Sequence, residues 1–85
     1  MDICAGGTVN AGVTSISFTN DHPVPCTITS CDMPGWPKKP PVIPKRQGGT
    51  PGQGTVNLTQ PAPAGEYDYT PDCCHNDTNP TIKVQ

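Results

Sequence analysis

All twelve prolines of this 85-residue chain lie beyond residue 22, and they leave no room there for a helix of more than about two turns. Each proline removes a backbone donor and clashes with the preceding turn. What remains are short segments of alternating polarity bounded by turn residues, the pattern of an all-β sandwich or barrel. The alternation predicts strands at 8–10, 13–19, 24–30, 55–59, 66–70 and 81–84. Ile16 and Phe18 share one face of the second. Val24, Cys26 and Ile28 share the inward face of the third. Val56 and Leu58, Tyr67 and Tyr69, and Ile82 and Val84 are the expected inward pairs of the last three. A Pro/Gly-rich excursion at 33–54 interrupts the series, with a short extended piece at Val42 and Ile43. The whole chain, 1–85, reads as one domain.

Such a chain is short of core. Hydrophobic residues make up 32% and aromatics 5%, below the usual globular share. A domain of this size buries only a little over ~60% of its unfolded surface. Disulfides, a metal or self-association are the usual supplements. Five cysteines are available: Cys4, Cys26, Cys31, Cys73 and Cys74. Their odd number leaves at least one sulfur free, metal-bound or bonded to another chain. Cys73 and Cys74 are poorly placed to bond each other, because adjacent residues close a strained ring. Cys26 and Cys31, on one extended strand, would stand ~16 Å apart. This cysteine density predicts an oxidising location, whether secreted, periplasmic or at the cell surface. No signal peptide is visible, so Met1 reads as a start residue added after signal removal.

Charge excludes some roles. The net charge is −2, and four of the five basic residues (Lys38, Lys39, Lys45, Arg46) sit among prolines as a solvated loop. A nucleic-acid groove needs a broader basic field with stacking aromatics. No apolar run approaches the ~20 residues that span a bilayer. The Lys/Pro stretch at 37–45 could form a polyproline II face, but an ordered crossover that needs no ligand is the simpler reading. The triplets beginning at Asn57 and Asn76 match glycosylation sequons, a pattern common by chance. Asp21 beside His22 and Asp72 near His75 read as turn residues. Trp36 is expected to cap one end of the core. No nucleophile elbow or paired-histidine zinc motif is present, and the chain reads as non-enzymatic.

Two stretches together resemble the cupredoxins, the small copper-carrying β-sandwiches. Residues 9–30 look like that family's Ala-Gly turn (Ala11, Gly12), its strand ending in Asn (Asn20), and its strand carrying the first histidine ligand. Residues 64–84 look like its Gly-x-Tyr-x-Tyr strand (Gly65, Tyr67, Tyr69), ligand loop and closing strand. The resemblance covers about half the chain and implies a Greek-key sandwich. It also implies that Cys26 and the Cys73/Cys74 loop meet at one end. There Cys26 stands where the family has its first histidine, Pro71 stands where its cysteine should follow the Tyr strand, and Thr78 and Asn79 lie near its methionine position. A disulfide replacing a ligand pair is then the expected staple, with Cys4 and Cys31 pairing with each other, with the second C-terminal cysteine, or with another molecule. Blue copper requires two imidazoles, a thiolate and a weak axial group. The expectation is therefore no cofactor. The functional expectation is a structural or interaction module with protein partners, itself included, and with filament formation or assembly through a leftover cysteine. The rival is a copper or zinc carrier using Cys26, Cys73, Cys74 and His75; three consecutive ligands that alternate in direction count against it.

Overall fold

The computed structural model describes residues 1–75 and 79–85. The sequon at Asn76 and the loop position of Thr78 fall outside the described residues. Among those residues the protein is all-β, with no helix and therefore none long and apolar enough to cross a membrane. Seven strands follow in chain order: β1 (Gly7–Val9), β2 (Ser15–Asn20), β3 (Cys26–Cys31), β4 (Val42–Ile43), β5 (Gly52–Asn57), β6 (Gly65–Pro71) and β7 (Thr81–Val84). Five form a mixed sheet in the order β1-β7-β6-β3-β4, in which β1 runs parallel to β7. The other two form an antiparallel pair, β2-β5.

Alternation positions the core. Ile16 and Phe18 of β2, Cys26 and Ile28 of β3, and Ile82 and Val84 of β7 are buried while their neighbours face outward. Phe18 joins the two sheets. Its ring meets Tyr69 of β6 edge-on at 5.5 Å and Trp36 at 6.3 Å, geometries that aromatic pairs favour. Trp36 caps the core half-buried, as its place after Pro34 and Gly35 suggests.

Several boundaries differ from the sequence reading, each for a physical reason. Strand β5 begins at Gly52 and ends at Asn57, so three residues of the expected 33–54 excursion are strand and Leu58 is only half-buried beyond it. Glycine is a weak strand former, but a Cβ at Gly52 would collide with the Pro44 carbonyl oxygen, so the close pass of the chain requires it. Val24 is 52% exposed because β3 starts only at Cys26. Tyr67 is half-buried, and its hydroxyl donates back to the Pro63 carbonyl at 3.0 Å.

The first nine residues change sheets. Ile3 N donates to Thr19 O and Thr19 N donates to Met1 O, which lays the N-terminus beside β2. Gly7 to Val9 then pair with β7. Ile3 is fully buried at this crossing, and the fully buried Tyr69 donates its hydroxyl to the Ile3 carbonyl at 2.8 Å.

Besides the Tyr69 phenol, Asn20 is the fully buried polar side chain among the described residues. Its amide nitrogen donates to the carbonyls of Val24, Ile43 and Pro44, and its Oδ1 accepts the His22 N–H at 2.9 Å. It thereby ties the end of β2 to β4 and fixes the turn that carries His22. Truncation would leave several of these groups buried without partners. Asn20→Ala is expected to cost about 1–3 kcal/mol, read as a lower urea midpoint at unchanged slope.

Candidate functional site: the cysteine pole

Four of the five cysteines gather at one end of the molecule, where β6 ends. The antiparallel pairing of β3 with β6 matches Cys31 to Tyr69 and Ser30 to Thr70, then shifts by one residue so that Ile28 faces Pro71. Counting on in the shifted register sets Thr27 against Asp72 and Cys26 against Cys73. Asp72 secures this: its Oδ1 accepts the Thr27 N–H at 2.8 Å, and its own N–H donates to the Thr27 carbonyl at 2.9 Å. Cys26, fully buried, is disulfide-bonded to Cys73 with 5.1 Å between Cα atoms.

The chain turns at Asp72 and Cys73. The turn removes the alternation expected of consecutive residues and brings the Cys73 and Cys74 sulfurs to 3.7 Å. Cys74 is bonded to Cys4, at the point where the N-terminal segment passes between sheets. The Cys4 N–H donates to Asp2 Oδ1 at 2.8 Å, which shapes that passage. The two disulfides together fasten the N-terminal segment, β3 and the loop after β6.

His22 completes the pole. Its Nε2 lies 3.1 Å from Cys4 Sγ. A disulfide sulfur carries no proton, so the imidazole is the donor in this contact. The ligand atoms of Cys4, His22, Cys73 and Cys74 all lie within 4.8 Å of one another, and those of Cys26, Asp72 and Cys73 form a second such group. His75, expected beside the doublet, is exposed and belongs to neither group. The expected set of Cys26, Cys73, Cys74 and His75 is therefore not assembled as one site. No local motif pointed to His22 or Cys4, which meet across 18 residues of sequence. Only the docking of Met1 to Ile3 on β2, beside the Asn20-fixed turn, brings them together.

A blue-copper centre does not fit these residues. It needs two imidazoles on one metal with a thiolate, and among the described residues only His22 joins these ligand groups, beside sulfurs already joined in pairs.

Cys31 is the free cysteine, half-buried at the end of β3. Burial raises its thiol above the ordinary range, and the nearby Asp32 and Asp68 carboxylates add to this against two backbone hydrogen bonds. Burial likewise holds the Tyr69 phenol well above its ordinary range. A thiol kept protonated is a slow nucleophile, so Cys31 is poorly suited to capture another chain.

Comparison of the chain with protein-family models, with curated proteins and with solved structures gives no match.

Three predictions follow from this geometry. Peptide mapping without reductant should find Cys4 joined to Cys74, Cys26 joined to Cys73, and one alkylatable thiol at Cys31. The paired variant Cys26→Ser/Cys73→Ser, which opens a loop spanning 47 residues, should lose about 4 kcal/mol in the chain-entropy account, measured by urea unfolding. The third concerns pH. Cys31 and Tyr69 have folded-state pKa values raised above those of the unfolded chain, so folding is fully favoured below the unfolded values and loses free energy as pH rises past them. Stability should be level from neutrality to about pH 8, decline above ~8.5 as unfolded thiols ionise, and fall faster above ~10. Cys31→Ser should remove the first decline and leave the second.

Proposed function

We propose that this chain is a non-enzymatic extracytoplasmic module with a structural or binding role, working through contact with protein partners that include copies of itself. The observation that carries the reading is the double fastening at the cysteine pole. Among the described residues twelve buried apolar side chains, cysteine included, form the core, and two disulfides join segments far apart in sequence around it. Cross-links of this kind persist in oxidising surroundings and suit a small domain with little core.

The surface offers edges for association. In the five-stranded sheet, β1 and β4 each have a sheet partner on one side only. Val42 of β4, and Val24 just before β3, are large apolar residues more than half exposed. An open strand edge with exposed apolar residues suits strand addition by a neighbour. The protonated, half-buried Cys31 favours non-covalent association over the cysteine-linked assembly expected from the odd count. In this reading the two sheets are the halves of a cupredoxin-like Greek-key sandwich; support comes from the resemblance at 9–30 and 64–84 and from β7 lying between β1 and β6.

The expected outcome is one labelled thiol per chain when the native protein is acid-quenched in its source material and alkylated before reduction. Five labelled thiols would place it in a reducing compartment and overturn the reading. Light scattering over rising concentration should show reversible association that survives Cys31→Ser and weakens with Val42→Lys at the β4 edge.

A further inference from the structure

Disulfides account for the sulfurs at the pole but not for His22. An imidazole nitrogen 3.1 Å from Cys4 Sγ, held by the Asn20 contact to its backbone, joins three sulfurs in a group whose members all lie within 4.8 Å. The donor set is three cysteines and one histidine, one of the standard sets of tetrahedral zinc. Zinc–sulfur bonds of about 2.3 Å at tetrahedral angles place two sulfurs about 3.8 Å apart. The Cys73 and Cys74 sulfurs are 3.7 Å apart already.

We propose that Cys4, His22, Cys73 and Cys74 bind one Zn(II) ion when the chain is reduced, and that disulfide formation closes the site. This goes beyond the module reading, because it concerns the chain before oxidation or in contact with a thiol reductant. Two molecules of a dithiol each give two electrons and two protons. The Cys4–Cys74 and Cys26–Cys73 bonds break, four cysteine thiols form, and each dithiol becomes a disulfide. Zn(II) then displaces one proton each from Cys4, Cys73 and Cys74 and takes the lone pair of His22 Nε2, whose ring proton moves to Nδ1. A disulfide oxidant reverses the sequence: the four sulfurs pair again, the oxidant is reduced to thiols, and the ion leaves.

Cys26 is not a ligand in this arrangement. It is fully buried on β3 and groups instead with Asp72 and Cys73. His75 is not a ligand either, since it is exposed and outside the group. These two exclusions separate the folded site from binding by an unfolded chain, in which the consecutive Cys73, Cys74 and His75 would be the nearest donors.

Co(II) serves as the visible probe. The full chain, reduced with a phosphine that competes poorly for metal, should take one equivalent of Co(II), with the visible bands of a tetrahedral thiolate site, and Zn(II) should displace it. The oxidised chain should take none. His22→Ala should weaken binding by about tenfold or more, the scale on which zinc sites respond even to loss of supporting groups. His75→Ala, Cys26→Ser and Cys31→Ser should leave it unchanged. Far-UV circular dichroism guards against loss of the fold. A reduced chain that unfolds and refolds on adding Zn(II) supports the site, because only the folded chain joins Cys4 and His22 to the doublet. The proposal is overturned by a reduced chain that takes no Co(II), by one that stays unfolded with Zn(II), or by binding that responds to His75→Ala instead of His22→Ala.

Discussion

Two covalent bonds at one pole hold together what the small core cannot hold alone. The inner bond joins β3 to the loop after β6, and the outer bond joins that same loop to the N-terminal crossing. They are nested, and their effects on the unfolded chain are therefore not independent. Once Cys26 and Cys73 are joined, the second bond closes a path from residue 4 through residue 26 to residue 74, much shorter than the 70 residues counted along the chain. Loop-closure entropy grows only slowly with length, so the second bond still restricts the unfolded chain substantially. What it orders in the folded state is the first nine residues, which hydrogen-bond first beside β2 and then along β7.

The strands with strict alternation were legible because burial on one face leaves a period of two. Ile16 and Phe18, Cys26 and Ile28, and Ile82 and Val84 fall where that rule puts them. It failed where something other than side-chain polarity decides. Gly52 and Gly54 stand in a strand despite their weak propensity because the Pro44 backbone and the Ile43 side chain pass too close to them for a Cβ. Val24 looked inward by count but precedes the start of the ladder. The parallel pairing of β1 with β7 joins the two ends of the chain, and no local pattern encodes it.

The cysteine pole was less legible than the sheets. Sequence spacing left the partners open, and only the likeness to a known sandwich brought Cys26 toward the doublet. Reading Cys73, Cys74 and His75 as an extended run made their side chains diverge. The turn after β6 instead sets two of the sulfurs side by side and leaves the histidine outside. Asn20, noted in the sequence only as the end of a strand, is the residue that builds the turn around His22. Its role depends on carbonyls of Ile43 and Pro44, over twenty residues away.

The one-residue slip between β3 and β6 decides which isomer of the molecule exists. In the register set by Cys31 with Tyr69, Cys26 would stand across from Cys74; beyond Ile28 it stands across from Cys73. Four cysteines can pair in three ways, and the choice among them rests here on where Thr29 takes up the extra length. The same chain paired without that slip would keep every cysteine and yet offer Cys26 the other sulfur, exchanging the partners of both cross-links. Connectivity in this protein is thus written in the hydrogen-bond ladder of two strands, and the cysteines only record it.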